Sequence, residues 1–422
     1  MFPGCIRLHM EKKEESSSLK HLFQEEFAKM VAVISRIFGL QHIELAEDIV
    51  SETFLLATET WERKGIPPNP TAWLYKVAKQ KTLHHFRRKK ILERKVIPEL
   101  VLRGRNNHEI LDEEFSPSKI RDSQLQMLFA VCNPAIAGEA QIGLALRILC
   151  GFGIDEITDA FLSNKETINK RLFRAKEKLR AEKVRMELPG KLDIADRLDN
   201  VLHIIYLMFN EGYYSKSSNQ ILRREFCLEA MRLCVMLTEF EITNTPQTNA
   251  LMSLMCFHAS RFDARQTGSE SLVLYGDQDE QLWDMALIRQ GMHFLGLSAR
   301  GDKLSSYHLE ARIACWHCIK EESSQKWEEI LQLYDQLMRI NYSPSVALNR
   351  TFALGKVKGP EVALTEAKSL GMNDNHYYFV LLGELYKGID LQLARIHFQK
   401  AHDMARTDAE KQLILDKLNT LH

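Results

Sequence analysis

No apolar run in this sequence reaches about 18 residues, which excludes a membrane-crossing helix of ordinary length. Proline and glycine are scarce, 11 and 20 of 422 residues, which argues against a fibrous or disordered chain. Neither charge is in excess: 56 Lys and Arg meet 56 Asp and Glu, so only the distribution of charge can point to a partner. The eight cysteines are scattered, which argues against a disulfide scaffold and fits a reducing, cytoplasmic setting. Cys315 and Cys318 form one CxxC, "CWHC", but a zinc site usually needs a second pair and none is present. That stretch reads as helical core rather than as a metal or redox site. The opening residues, "MFPGCIRLHMEKKEESSS", lack the apolar centre of a signal peptide and read as a frayed tail. No Gly-rich phosphate loop, metal-ligand set or nucleophile–base grouping is found, so no cofactor, no metal and no catalysis is expected. His203, His258 and His293 lie in helical patterns and read as structural.

What is present is a chain 45% hydrophobic and 27% charged, enough for two or more domains with their own cores. Its apolar periodicity is almost everywhere helical, so the expected fold is all-α. The expected parts are residues 20–95, a linker at 96–122 with Pro98 and Pro117 as breakers, residues 123–187, a helical middle at 190–300, and 301–422. In the last part Trp327, Ile330, Tyr334 and Leu337 share one helical face. Similar faces recur around Val362, Ala363 and Leu364 and around Leu393, Ala394 and Ile396, at a spacing near that of tetratricopeptide helix pairs. In "FNEGYY", Asn210 and Glu211 before Gly212 read as a capped helix end.

Three segments carry the functional argument. In "GIDEITDAFLSNKETINKRLFRAKEKLR", Ile154, Ile157 and Phe161 mark one short helix. Ser163 and Glu166 fit a capping box, and a second helix buries Ile168, Leu172, Ala175 and Leu179. Such a pair makes a helix-turn-helix, whose second helix enters the DNA major groove. Lys165, Thr167, Asn169, Lys170, Arg171 and Arg174 are the candidate DNA contacts, since Arg and Lys suit guanine or phosphate and Asn suits adenine.

The second segment, "NPTAWLYKVAKQKTLHHFRRKK", starts with Asn69 as N-cap and Pro70 at the first helical position. Its Lys76, Lys79, Gln80, Lys81, His84, Arg87 and Arg88 alternate with aromatic rings, a pattern suited to phosphates and unpaired bases. The third, "LAEDIVSETFLLATETW", buries Ala46, Ile49, Val50, Thr53, Ala57 and Trp61 and leaves Glu44, Glu47, Asp48 and Glu52 outside. An acidic face of this kind suits a basic protein partner.

Taken together, "AEDIVSETFLLATETW", "NPTAWLYKVAKQKTLHHFRR" and the helix pair resemble an extracytoplasmic-function sigma factor of the sigma-70 family. The first two are similar to its region 2 and the pair to its region 4. The resemblance implies that Asp48 and Glu52 dock on the β′ clamp helices of core RNA polymerase. It implies that residues 63–70 capture a flipped base of the −10 element, that residues 71–90 recognise and melt it, and that residues 165–174 read the −35 element. Ser51 stands where many members carry glutamine, and His84 near a frequent aspartate. The stretches "IIYLMFNEGYY" and "DQDEQLWDMALIRQG" are similar to a subgroup with a C-terminal tetratricopeptide-like extension that controls or assists the sigma core. The concave side of such repeats offers a groove for a protein or peptide ligand. A one-component helix-turn-helix regulator with a repeat sensor, or a scaffold with merely basic surfaces, are the alternatives; neither uses the acidic helix.

Overall fold

The structure is a computed structural model, and it describes residues 18–89, 107–161, 163–190, 193–213, 224–265, 273 and 275–421. The N-terminal tail and the first part of the expected linker, with Pro98, lie outside the described residues. Among those described there are nineteen α-helices and no strand, the all-α architecture expected. The chain divides into two compact units, Met1–Leu207 and Met208–His422.

The first unit is built around α1 (Ser18–Phe38). Phe27, Met30, Val31, Ala32, Val33 and Ile34 are all essentially inaccessible, so the middle of the helix is buried on nearly every side. A helix of that kind can be stable only at the centre of a bundle. Against it pack α2 (Ile43–Lys64), α3 (Pro70–Lys89) and α5 (Pro117–Val131). Between α3 and α5 lies α4 (Asn107–Glu114). Residues 107–122, expected as linker, are thus largely helical, because Leu111 and Phe115 bury their side chains and Pro117 starts a helix rather than breaking one.

Helix α6 (Gly138–Leu144) runs into a π turn at Ala145–Leu149. Then come α7 (Ile154–Ala160) and α8 (Lys165–Ala181), a pair joined by four residues. Helix α9 (Ile194–Tyr213) follows; within the first unit its Arg197 donates to the Phe129 carbonyl and its Asn200 to the Cys132 carbonyl.

The second unit begins with α10 (Arg224–Thr238), α11 (Pro246–Ala259) and α12 (Met285–Ser298). It continues through α13 (Ser306–Trp316), α14 (Ser324–Ile340), α15 (Pro344–Lys358), α16 (Pro360–Leu370), α17 (His376–Tyr386), α18 (Leu391–Met404) and α19 (Asp408–Asn419). From α13 onward each helix packs on the next. Trp327, Ile330 and Leu337 are buried as their spacing implies, and so are Ala363, Leu364 and Ala394. Val362 and Ile396 are exposed, because one helix face cannot turn three neighbouring residues inward. The "FNEGYY" stretch does not cap α9: the helix continues through Gly212 to Tyr213, whose buried ring lies beside Phe209, His258 and Arg265. His258 is enclosed as expected, while His203 and His293 are on the surface.

Candidate nucleic-acid and polymerase interfaces

The second helix of the pair, α8, starts one residue later than its sequence suggests. Asn164, not Ser163, is the N-cap, its side-chain oxygen accepting the Thr167 backbone N–H at 2.8 Å. Asn and Ser are about equal as caps. Ile168, Leu172, Ala175 and Leu179 form the buried stripe that the 3.6-residue period dictates. The opposite face carries Lys165, Thr167, Asn169, Lys170 and Arg174, all exposed.

Their electrostatic states differ. Lys165 lies 2.6 Å from Asp155, and Lys170 lies 2.5 Å from Glu166. All four side chains are more than three-fifths exposed, so each pair contributes at most about 1 kcal/mol and yields readily to a phosphate. Arg171 is half-buried, 2.9 Å from Glu139 and above the Phe161 ring, so it is the least available of the six. Thr167, Lys170, Arg171, Arg174 and Lys178 line one wall of an open groove whose other wall is Ala135, Ile136, Ala137 and Ala140. Phe173, on the same helix, is 62% exposed. The sequence analysis did not enlist it; an apolar residue off the buried stripe was the available signal.

Helix α3 is capped as expected: Asn69 accepts the Ala72 N–H at 2.9 Å, and Pro70 is its first residue. Leu74, Ala78, Thr82 and Leu83 face inward. Lys76, Gln80 and His84 recur every fourth residue and form one exposed line. Lys79 and Lys81 do not join it. Lys79 reaches Asp112 at 2.7 Å, and Lys81 reaches Glu52 at 2.7 Å. The side chains of Arg87 and Arg88 lie outside the described residues. Of the upstream segment 63–70, residues 65–69 form the loop between α2 and α3, in which Ile66 is 56% accessible. Gly65 starts that loop at φ 77°, a left-handed value that a side chain would strain, while its N–H still donates to the Trp61 carbonyl. Trp61 and Trp73 meet edge to face across the base of the loop, 5.5 Å between centroids.

On α2, Asp48 and Glu52 are exposed, as expected. Glu47 is not. It is buried, its carboxylate bonded to Arg147 at 3.2 Å and to Lys176 at 2.5 Å. The two cations come from positions 100 and 129 further along, so no local pattern could reveal them. Leu55 and Leu56, one turn beyond Glu52, are exposed, at 61% and 37%. An acidic rim around exposed leucines is a protein-docking chemistry rather than a DNA-binding one.

Residues 22–91, which hold the acidic helix, the loop and α3, match the family model for sigma-70 region 2. The chain belongs to the sigma-70 family. Residues 197–299 of this sigma-70 family member match a second model, a family of unknown function (DUF6596). Over 386 residues the chain is 33% identical to an uncharacterized protein of Rhizobium meliloti (strain 1021), covering 90% of this chain and 91% of that protein. No solved structure matches it.

In the second unit a buried amine ties Tyr275, just before "DQDEQLWD", to residues 319–322, just after "CWHC". Lys326 is fully enclosed; its ammonium donates to the Ile319 carbonyl at 2.6 Å and lies 3.2 Å from the Tyr275 hydroxyl and 3.4 Å from Glu322. Lys320 donates to the Gln278 carbonyl at 2.6 Å. Burial by itself raises the Glu322 carboxyl, but hydrogen bonds from Trp327 and Lys326 outweigh it and hold the group below its ordinary range. Burial, helped by the nearby Arg261 and Lys326 charges, drives the His317 imidazole down to about 3. Cys315 is pushed up to about 11 by burial, and burial raises Cys318 as well. Thiols raised in this way are poor nucleophiles, which suits a packing role for this corner. Among the described residues no group of three or more His, Cys, Asp or Glu side chains is placed to hold a metal ion.

Proposed function

We propose that the protein is an extracytoplasmic-function sigma factor that binds core RNA polymerase and directs it to promoters with −35 and −10 elements. On this reading the docking face of α2 is Asp48 and Glu52 around Leu55 and Leu56, which meets the β′ clamp helices. The line Lys76–Gln80–His84 on α3 meets the −10 strand, with Lys79 and Lys81 released from Asp112 and Glu52 when phosphates compete. The loop at 63–70 captures a flipped base, with Ile66 as its apolar contact. No covalent chemistry is involved: base capture and stacking offset unpairing, a few kcal/mol per base.

The observation that carries the reading is the outward face of α8, where Lys165, Thr167, Asn169, Lys170 and Arg174 surround an exposed phenylalanine. Arg and Lys match guanine or phosphate, Asn matches adenine, and a phenyl ring matches the thymine methyl. That face would read the −35 element. The stacked helices from α13 to α18 begin their three pairs at Ser306, Pro344 and His376, and α19 follows at Asp408, close to the 34-residue tetratricopeptide period. They form a regulatory extension on this reading, with a groove for a protein or peptide.

In-vitro transcription with core enzyme tests the proposal. Full-length protein should bind core stoichiometrically and initiate at a matching promoter. DNA binding without core binding would instead support a one-component regulator. A truncation that isolates the sigma portion must keep residues to about 207, because Arg197 and Asn200 bond into the first unit.

A further inference from the structure

Close to the buried Lys326 lies a second buried cation, and this one has no counter-charge. Arg261 follows α11 and is only 7% exposed, yet its Nε has no hydrogen-bond partner. Its guanidinium lies over the Tyr275 ring, 5.6 Å from the centroid. Around the same ring stand the Lys326 ammonium at 5.3 Å, the His317 imidazole edge-on at 5.2 Å and the Trp283 indole at 6.4 Å. Trp283 Nε1 and His317 Nδ1 are also enclosed without partners. Packing accounts for the neighbouring thiols but not for these nitrogens.

The carboxylates of this corner are engaged elsewhere. Glu322 takes Lys326 at 3.4 Å and the Trp327 indole N–H, and Asp263 takes Arg224 at 2.7 Å. Asp279 and Asp284 accept backbone N–H groups as helix caps. Among the described residues no carboxylate pairs with Arg261. Glu322 balances Lys326, so Arg261 is left with one uncompensated positive charge. Taking a guanidinium out of water unpaired is costly, and a ring face offsets only part of that cost. The charge reaches its neighbours: after burial itself, it is the largest influence holding the His258 and His317 imidazoles below their ordinary range.

We propose that Arg261 anchors a binding site for a small monocarboxylate. Charge selects the ligand, since one uncompensated cation matches one negative charge. Geometry agrees, since a carboxylate presents two oxygens to the fork of a guanidinium. The Trp283 N–H and, in the tautomer protonated at Nδ1, the His317 N–H are the further donors at hand. Enclosure selects size: a segment of a macromolecule needs a groove, whereas Arg261 is almost wholly covered. Tyr275 is half-buried and is followed by exposed Gly276 and Asp277, so the guanidinium lies one ring away from a solvent-facing turn. Arg261, Tyr275 and Trp283 fall within residues 197–299, the segment matched by the family of unknown function, while His317 and Lys326 come from the stacked helices that follow. The ligand would sit where the two meet. The site stands apart from the sigma reading, and its test reads binding alone.

Calorimetric titration of the full chain supplies that test. Protein dialysed into a chloride buffer free of carboxylates is titrated with sodium acetate at constant ionic strength, and its Tm is followed in parallel. Acetate is expected to bind saturably and to raise Tm. Sulfate, a dianion, should bind more weakly. Arg261→Met should lose acetate affinity by at least about thirtyfold. In the chloride buffer alone R261M should melt no lower than wild type, because it removes a charge that nothing there balances. Arg261→Lys keeps the charge but not the fork, and should lose about tenfold. The proposal is overturned if acetate does not saturate the wild-type chain, if sulfate binds more tightly, or if either variant binds acetate as well as wild type. It is overturned equally if R261M melts lower or fails to fold without ligand, since the guanidinium would then have a structural role instead.

Discussion

The Lys81 ammonium sits 2.7 Å from the Glu52 carboxylate, so a candidate −10 contact and a candidate polymerase contact hold each other. Both side chains are partly solvated, and the pair stabilises by less than about 1 kcal/mol. Its consequence is that the two faces are not electrically independent.

Asp48, which makes no such pair with α3 among the described residues, is the cleaner position at which to test docking. Asp48→Lys should weaken core binding by about tenfold, roughly 1.4 kcal/mol, through like-charge repulsion at a basic partner. Glu52→Lys should do the same and also disturb −10 function, because it frees Lys81. Leu55→Ala should weaken core binding with little salt dependence, since apolar burial is not screened. Titration of labelled protein with core at two salt concentrations checks all three; unchanged affinity for D48K would refute the docking face.

Arg174 is exposed and has no ion pair among the described residues, whereas Lys165 is paired on the surface. Arg174→Ala should cost about 1–3 kcal/mol at promoters whose −35 element it reads, and should relax preference at one position. Lys165→Ala should weaken all sequences alike and reduce the salt slope by about one. Phe173→Ala should abolish any preference for thymine over deoxyuridine at one −35 position. Binding to duplexes with single T-to-dU replacements reads that directly.

Packing of the second unit has an equally specific test at Gly383 on α17. A Cβ there would lie 2.7 Å from the Phe398 ring, closer than carbon atoms approach. Gly383→Ala gains about 1 kcal/mol of helix propensity but overpacks a filled core, at about 1–3 kcal/mol. The net expectation is a lower denaturation midpoint; Gly388→Ala, which meets nothing within 4 Å, is the comparison that should not lose core packing.

The His317 imidazole gives the second unit an acid sensitivity. Its folded value of about 3 lies below the ordinary 6.5, so between those values the unfolded chain binds a proton that the folded one refuses. Its stabilisation is complete above pH about 6.5 and is lost as pH falls toward 3. Buried His258 acts in the same direction. His317→Gln should flatten the dependence of Tm on pH between about 7.5 and 5.5, above the range in which most carboxylates titrate. An unaltered slope would show that this imidazole does not carry the effect.

Much of the candidate interface was legible because its signals are local. The stripe Ile168–Leu172–Ala175–Leu179 follows from the helical period alone, and so does the exposure of Asp48 and Glu52 opposite Ala46, Ile49 and Val50. Asn69 with Pro70 marked the start of α3 because a cap acts within three residues. Leu55 was missed because a single leucine off the stripe looks like noise until its exposure is known. Residues 107–122 looked unstructured because composition suggested breakers, while Leu111 and Phe115 found cores that their own neighbourhood does not contain.

By itself, then, the sequence determined the helices, their inward faces and the residue types available for phosphate, base and protein contacts, because those depend on spacings of three or four residues. Only the tertiary structure decided which of the outward charges remain available. Glu47 is spent on Arg147 and Lys176, Lys79 on Asp112, and Lys81 on Glu52, by contacts whose partners lie from 29 to 129 positions away. Charge pairing in a folded chain is set by distance in space, and no periodicity along the chain encodes it.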